Sequence, residues 1–284
     1  MLKREVRNLA DGVWIISDYL LDNMYLVVGE EKAALIDAGA GLGNLPEVIA
    51  SITDKPLVIL LTHGHFDHIG GVGFFDVPAY IHEEDMPFTQ YDSEISLSIY
   101  SEGFDPAKAR EDYVFSRAPV RNPDATKEQL KALLVDLPYK PSFVGMKGGQ
   151  KFDLGGRTIE VIHTPGHSRG SCCFLDDKSR LLFTGDTCND SLLLNFPPST
   201  TSVMTYHNGM KKLWSRKNEY DALCLGHDSL EIFDKTIIND YIEATKLIIE
   251  GKASQFISST ALHKGTGFRH KRALVWFDPE HIRD

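Results

Sequence analysis

Cysteine is scarce in this chain of 284 residues, with four copies at positions 172, 173, 188 and 224. No two of them have the Cys-x-x-Cys spacing. This pattern excludes a small scaffold held by disulfides and a cysteine-rich zinc module. A reducing compartment, the cytoplasm, is therefore the location that we expect.

Long apolar runs are also missing. The stretch 57–61 is typical of the longest aliphatic runs, whereas a membrane span needs about 20 apolar residues. The first residues, MLKREVRNLADGVW, lack the apolar stretch of a signal peptide. We expect a protein that neither spans a membrane nor carries a secretion signal.

Basic residues are outnumbered, since 30 Lys and Arg face 40 Asp and Glu for a net charge of −10. A protein that binds nucleic acid through its phosphates needs a basic face, so this activity is disfavoured. A small-molecule substrate is the expected partner. With 42% hydrophobic residues, the chain can bury the core of one large domain over 1–284.

Short strand patterns alternate with helical patterns, which favours an α/β fold. Helical patterns begin near positions 45, 203 and 237. The predicted strands cover 13–17, 24–28, 33–37, 57–62, 158–163, 171–175, 181–185 and 222–226.

The segment 84–145 has a different character and is predicted to be a mostly helical insertion. Leucines at 130, 133, 134 and 137 have helical spacing. Long segments outside a core are often binding walls or lids, so we expect a cap over the functional site or a homodimer contact. The alternative is a surface helix pair far from the site.

The strongest functional signal is the sequence THGHFDHIGG at 62–71, directly after a predicted buried strand. It places His63, His65, Asp67 and His68 within six residues. Imidazole and carboxylate groups are strong ligands for divalent metals, and glycines allow the backbone to turn tightly around an ion. The motif therefore predicts a metal site.

Three further polar clusters follow predicted strands. They contain His163 and His167, then Asp186, then His227. Because open α/β sheets place their ligands at the carboxyl ends of the strands, these side chains are expected to share one site with the first motif.

The order HxHxDH, His, Asp, His resembles the metallo-β-lactamase fold superfamily of binuclear metallohydrolases. The resemblance implies a four-layer αββα sandwich. It also implies that His63, His65 and His167 bind one metal, that Asp67, His68 and His227 bind the second, and that Asp186 bridges the two. Asp37, and with less support His163, would orient the ligands from outside the coordination shell.

This resemblance also implies a reaction. Two ions would share a hydroxide as the nucleophile, with Asp67 holding its proton and Asp186 completing the catalytic pair. Zinc suits the ligands best, although iron and manganese also accept imidazole and carboxylate. The substrate would be a small ester, thioester, lactone or phosphoester.

Two other functions stay open. Persulfide dioxygenases of the same superfamily resemble this pattern but use one iron held by two histidines and one aspartate. A metal-stabilised binding module without catalysis is the third possibility, and the complete ligand set disfavours it.

Three residues are weaker candidates for substrate binding. Cys188 lies two residues after Asp186, where it either contacts the substrate or packs in the core. Arg269 and His270 belong to the basic run 268–272, which either binds a carboxylate or phosphate or is a solvated surface segment.

Overall fold

The computed structural model describes residues 2–90, 93–100, 102–227, 229–259 and 264–284. These ranges contain the strands β1 (Val6–Ala10), β2 (Val13–Ser17), β3 (Asn23–Val28), β4 (Ala33–Ile36), β5 (Leu57–Leu60), β6 (Ala79–His82), β7 (Phe143–Met146), β8 (Lys151–Asp153), β9 (Thr158–His163), β10 (Cys172–Asp176), β11 (Leu181–Gly185), β12 (Leu192–Leu194), β13 (Ala222–Leu225), β14 (Phe233–Asp234), β15 (Phe256–Ser259), β16 (Lys264–His270) and β17 (Ala273–Phe277).

The α-helices in the same ranges are α1 (Leu45–Ile52), α2 (Phe66–Ile69), α3 (Glu94–Leu97), α4 (Pro106–Arg121), α5 (Lys127–Lys131), α6 (Val203–Ser215) and α7 (Ile237–Ile249). Two 3-10 helices lie at Gly70–Phe74 and Glu83–Thr89. No helix among the described residues is both long enough and apolar enough to cross a bilayer.

Two large sheets form the centre of the fold. One has the order β1-β2-β3-β4-β5-β6-β7 and the other β14-β13-β11-β10-β9-β8, while β12-β17-β16-β15 form a smaller sheet. Side chains of the two large sheets, such as Ile36 and Val27 from one and Phe174 and Phe183 from the other, share a fully buried core. This face-to-face packing makes the two inner layers.

Helices cover the outer faces of both sheets. Helix α1 buries Leu45 and Ile49 against the first sheet, with Pro46 in its first turn. Helices α6 and α7 pack against the second sheet, and Ser202 caps α6 by accepting a hydrogen bond from the Thr205 N–H at 3.0 Å. The layers are therefore α, β, β and α, and the predicted four-layer sandwich is confirmed.

The strand directions bring the predicted ligands to one edge. β4 and β5 are parallel neighbours, and β11 and β13 are parallel neighbours in the other sheet. β9 runs in the direction of β11, because β10 is antiparallel to both. The loops that follow β4, β5, β9, β11 and β13 thus carry the polar clusters.

The segment 84–145 contains helices α3, α4 and α5, and two details of it differ from the prediction. Helix α5 ends at Lys131 rather than continuing to Leu137. The boundary at 145 falls inside β7, which pairs in parallel with β6. The insertion therefore returns to the first sheet as an edge strand.

Helix α4 docks the insertion onto the body of the protein. Its Val114 and Ala118 are fully buried, in a cluster that includes Tyr19, Leu42 and Phe66. Burial of a valine side chain of this kind contributes about 2 kcal/mol. Neighbouring residues of the same helix line a cavity.

Candidate metal centre

The loop after β5 supplies four of the predicted ligands, and the loops after β9, β11 and β13 supply the other three. The structure brings all seven together. Their ligand atoms form three groups, each with its atoms within 4.8 Å of one another. These groups are His63, His65 and His167; His63, His68 and Asp186; and Asp67, His68 and His227.

The first group is a set of three imidazoles. His167 Nε2 lies 2.9 Å from His65 Nδ1. The other ring nitrogen of His167, Nδ1, lies 3.1 Å from the Leu193 carbonyl oxygen, which accepts a hydrogen bond when Nδ1 is protonated. That contact leaves Nε2 as the ligand atom of His167.

The group of Asp67, His68 and His227 combines two imidazoles with a carboxylate. His68 Nε2 and His227 Nε2 are 3.3 Å apart. His227 Nδ1 lies 2.8 Å from the Leu21 carbonyl oxygen, so Nε2 is again the nitrogen that faces the centre. We call Asp67, His68 and His227 the second group. It has the carboxylate of Asp67 where the first group has a third histidine.

Asp186 lies between the two groups. Its Oδ2 is 3.3 Å from His167 Nε2, whereas its Oδ1 is 3.2 Å from His227 Nε2 and 3.5 Å from His68 Nε2. Each carboxylate oxygen thus faces a different group. This arrangement would allow the carboxylate to contact an ion at each group.

The protonation state of the three imidazoles in the first group suits metal binding. Burial, with neighbouring histidines, lowers the pKa of His63 well below its ordinary value and that of His65 to about 3. Burial also lowers the pKa of His167. In the described part of the chain, the buried Nε2 atoms of His63 and His65 have no hydrogen-bond partner. His63 therefore has a free Nε2, whereas His65 faces His167 Nε2 through its Nδ1, and neutral imidazoles of this kind are suitable ligands for a dication.

Interactions between histidines and carboxylates stabilise the second group and the neighbouring Asp186. Burial alone would lower the pKa of His68, but the carboxylates of Asp37 and Asp186 raise it well above its ordinary value. Burial likewise opposes the charge of Asp186, and its two histidine neighbours more than compensate, so the pKa of Asp186 falls well below its usual range. A dication would replace the protons that now balance this carboxylate.

Asp37 supports the centre in the way that the resemblance implies. Its Oδ1 accepts a hydrogen bond from the Thr62 N–H at 2.7 Å, and its Oδ2 lies 2.8 Å from His68 Nδ1. This contact fixes the His68 ring with Nε2 toward the centre. Asp37 adopts φ of 59°, a left-handed conformation that turns its side chain back toward the loop after β5.

Sequence reasoning missed two residues that hold the second group. Asn189 Nδ2 donates a hydrogen bond to Asp186 Oδ1 at 2.8 Å, and the His227 N–H donates to Asn189 Oδ1 at 3.2 Å. Asp22 Oδ1 lies 3.2 Å from His227 Nδ1. Asn189 follows Asp186 closely enough to be a candidate from the sequence, whereas Asp22 is distant in sequence from every ligand motif.

Asp85 is a third missed residue, and it connects two ligand loops. The N–H groups of Gly64 and Gly170 donate to its oxygens at 2.9 and 2.6 Å, and Ser168 Oγ donates at 2.6 Å. Gly64 lies between two predicted ligands, and Ser168 follows another. The carboxylate is fully buried, which raises its pKa to about 6.

His163 lies outside the seven-residue cluster. Its ring stacks on His82 with centroids 3.9 Å apart and an interplanar angle of 15°, and its Nε2 lies 2.9 Å from the Arg169 carbonyl oxygen. These two residues and Glu84 form another group of possible ligands. Nearly parallel rings cannot both direct in-plane lone pairs at one ion, so we interpret His163 as a support for the loop of His167.

The three residues predicted for substrate binding lie elsewhere. Cys188 is fully buried in the core beneath α6 and α7. His270 Nε2 lies 3.0 Å from a Glu243 carboxylate oxygen on α7, and Arg269 is exposed on β16. The structure includes none of the three among the described residues that line the cavity at the metal centre. Cys188 thus packs in the core, one of its two alternatives, and a role of Arg269 and His270 in substrate binding stays a prediction.

The cavity over the centre has a volume of about 410 Å³. Its polar floor includes His65, Asp67, His167, Asp186 and His227. Its apolar walls include Leu21, Phe66, Ile99, Val120, Leu193 and Phe196. The volume and the mixed lining are typical of a small-molecule site.

One wall of the cavity comes from α4 in the insertion. The Tyr113 hydroxyl donates a hydrogen bond to Asp22 Oδ1 at 2.7 Å and lies 3.4 Å from Asp67 Oδ2. Arg117 and Arg121, on the same helix, line the cavity further out. The insertion therefore contributes side chains to the site.

A family model described as "Metallo-beta-lactamase superfamily" matches residues 20–227, which include all seven predicted ligands. The match covers most of the chain and agrees with the observed sandwich. The protein belongs to the metallo-β-lactamase superfamily.

Its relatives include proteins named acyl-coenzyme A thioesterase MBLAC2. The Bos taurus protein is 32% identical over 209 residues, with 68% of this chain and 69% of the relative covered, and the Homo sapiens protein is 31% identical over the same length. Among solved structures, a metallo-beta-lactamase family protein from Thermus thermophilus superposes with a TM-score of 0.56 at 22% identity, covering 85% of this chain and 82% of that chain. This last similarity concerns the fold alone.

Proposed function

We propose that this protein is a binuclear metal-dependent hydrolase that cleaves acyl thioesters. The observation that carries the proposal is the clustering of seven histidine and aspartate side chains, five of which line the floor of one cavity. In this proposal the two histidine-rich groups each bind one divalent ion, and Asp186 bridges them. Zinc is the expected metal, since the ligands are imidazole and carboxylate alone.

Two observations favour a thioester among the substrates of this superfamily. The relatives with about one third identity are named as acyl-coenzyme A thioesterases. The cavity also has apolar walls, which suit an acyl chain, beside the polar floor.

Divalent ions at such a site would supply an activated water molecule and polarise the scissile carbonyl. The chain's own groups would manage protons and orientation. Asp67 lines the cavity, so its carboxylate can accept a proton there. Tyr113, which donates its hydroxyl hydrogen to Asp22, lies 3.4 Å from Asp67 Oδ2 and helps to shape this part of the floor. The apolar walls would exclude water from the acyl chain.

The insertion would act as one side of the substrate site. Helix α4 lines the cavity, which supports the proposal that the segment 84–145 caps the metal edge within a single domain. A homodimer contact through this segment stays a prediction. Cytoplasmic location also stays a prediction, and the four buried cysteines, which form no disulfide, are consistent with it.

The proposal is tested by hydrolysis assays on metal-replete protein with acyl-coenzyme A, a lactone, bis(p-nitrophenyl) phosphate and a β-lactam. Release of free thiol at a rate far above the other reactions is the expected result, with loss of turnover after chelation and recovery with Zn²⁺. The matched control is His227→Ala, which removes one ligand and should retain the fold.

A persulfide dioxygenase would give a different result. Such an enzyme would contain one iron per chain and consume oxygen with a persulfide substrate. Protein with one bound iron, oxygen consumption and no thioester cleavage would overturn the proposed function.

A further inference from the structure

Two arginines stand at the outer part of the cavity, on the helix that the insertion contributes. Arg117 and Arg121 are four residues apart on α4, and both line the cavity together with Tyr113. Residues four apart lie on the same face of a helix, so the two guanidinium groups are neighbours. The chain has a net charge of −10, yet it places two positive charges beside its metal centre.

Arg117 is held in place by a ring rather than by a carboxylate. Its guanidinium lies over the Tyr113 ring, 5.3 Å from the centroid. No ion pair of Arg117 is present within the described ranges of the chain, and the acidic residue Asp112 on the same helix pairs with Lys108 instead. A guanidinium stacked on a ring keeps its in-plane N–H groups available for an anion.

The spacing along α4 sets how far the backbone of each arginine lies from the reaction centre, while the Arg117 guanidinium turns back over the Tyr113 ring, 5.3 Å from its centroid. Tyr113 lies at the floor, 3.4 Å from Asp67. With a rise of 1.5 Å per residue, Arg117 is about 6 Å and Arg121 about 12 Å further along the helix. A substrate in this cavity would therefore contact the predicted metal ligands at the floor and the arginine side chains further out.

We propose that Arg117, with Arg121 beside it, forms an anion-binding subsite for the phosphate of a phosphorylated thiol carrier, so that the substrate is an acyl thioester of phosphopantetheine or of coenzyme A. This inference rests on the proposed thioesterase function. The guanidinium fork of Arg117 binds phosphate oxygens through two N–H groups. The acyl chain then lies along the apolar walls.

The test compares octanoyl thioesters of pantetheine, phosphopantetheine and coenzyme A on metal-replete protein. For Arg117→Ala, kcat/KM for the two phosphorylated substrates should fall about tenfold, mainly through KM, with less than about a twofold change for the uncharged pantetheine thioester. Arg117→Lys should be intermediate, because it keeps the charge and loses the two-pronged contact. Lys108→Ala on the same helix is the matched control and should resemble the wild type.

A second readout does not depend on catalysis. Dethio-coenzyme A, which lacks the thiol, should bind the metal-free protein and lose about tenfold in affinity in Arg117→Ala. In Arg117→Ala, a larger loss for coenzyme A than for phosphopantetheine would show that Arg117 also binds the further phosphates of coenzyme A, whereas equal losses would assign the subsite to the phosphate that both carriers share.

The proposed subsite would be refuted if Arg117→Ala lost kcat/KM equally for the phosphorylated and the uncharged thioesters. Unchanged binding of dethio-coenzyme A in Arg117→Ala would also refute it. Failure of the wild type to hydrolyse any thioester would instead refute the proposed function. In that case, arginine-dependent binding of dethio-coenzyme A would still support the anion subsite.

Discussion

Asp85 gives the sharpest prediction, because it connects two loops that carry predicted ligands. Its carboxylate accepts hydrogen bonds from Gly64, Gly170 and Ser168. Asp85→Asn keeps the size of the side chain and leaves only one acceptor oxygen for three donors. Both loops should then lose their fixed position, and we expect metal affinity to fall about 10- to 100-fold, as for other residues that orient ligands.

Fold stability should respond to this change in a pH-dependent way. Burial raises the pKa of Asp85 from an ordinary 3.8 to about 6 in the folded protein. The folded state therefore binds the proton more tightly than the unfolded state. The resulting contribution to the free energy of unfolding is fully present below about pH 4 and is lost as the pH rises through about 6. At about 1.4 kcal/mol per pKa unit, the free energy of unfolding of wild type relative to Asp85→Asn should fall by about 3 kcal/mol from about pH 4 to about pH 7.

Metal affinity is measured by competition with a chromophoric chelator at pH 8, and stability by urea titration of metal-free protein at several pH values. Glu83→Gln is the control, since it removes the same charge from a neighbouring side chain that is 53% exposed. The reasoning is refuted by an Asp85→Asn variant that binds metal as tightly as the wild type and shows no pH-dependent difference in stability.

Three further predictions concern the centre and its surroundings. Asp186→Asn should reduce the occupancy of both ions, whereas His227→Ala should reduce only one, as counted by elemental analysis; two retained ions in the Asn variant would contradict the bridging role. Tyr113→Phe should lower kcat/KM for a thioester about tenfold with metal content unchanged, and an unaltered rate would exclude the phenol from the reaction. Burial and a neighbouring histidine lower the pKa of His82 to about 4, so the folded protein should lose about 1 to 2 kcal/mol, with solvent screening included, as the pH falls from about 6.5 to about 4. His82→Gln should remove this acid sensitivity in urea titrations at pH 7 and pH 5, and identical pH profiles would show that His82 does not cause it.

The large elements of the fold could be predicted because their patterns are local. Strands such as β4 and β11 are buried at every position, and a short apolar run followed by polar residues indicates such a strand. Helix α5 is the exception, since leucines with helical spacing continue to position 137 although the helix ends at Lys131. Its leucines still pack against the core through an irregular segment.

The basic run 268–272 shows why the sequence left two interpretations open. Arg272 Nε pairs with Asp240 at 2.6 Å, and Lys271 Nζ pairs with Glu243 at 2.6 Å, both on α7. These partners lie far away in the chain, and the run meets them only because the β16–β17 hairpin packs beside α7. The positive charges are therefore neutralised on the surface rather than presented to a substrate.

By itself, the sequence determined the candidate metal ligands, because each follows a recognisable strand and the carboxyl ends of parallel strands meet at one edge. Only the tertiary structure decided which groups surround them. Asp85, Asp22 and Tyr113 come from segments without any motif, and their roles arise from burial and from contacts across the fold. A motif records local chemistry, whereas the position of a buried carboxylate or a cavity wall depends on how distant segments pack together.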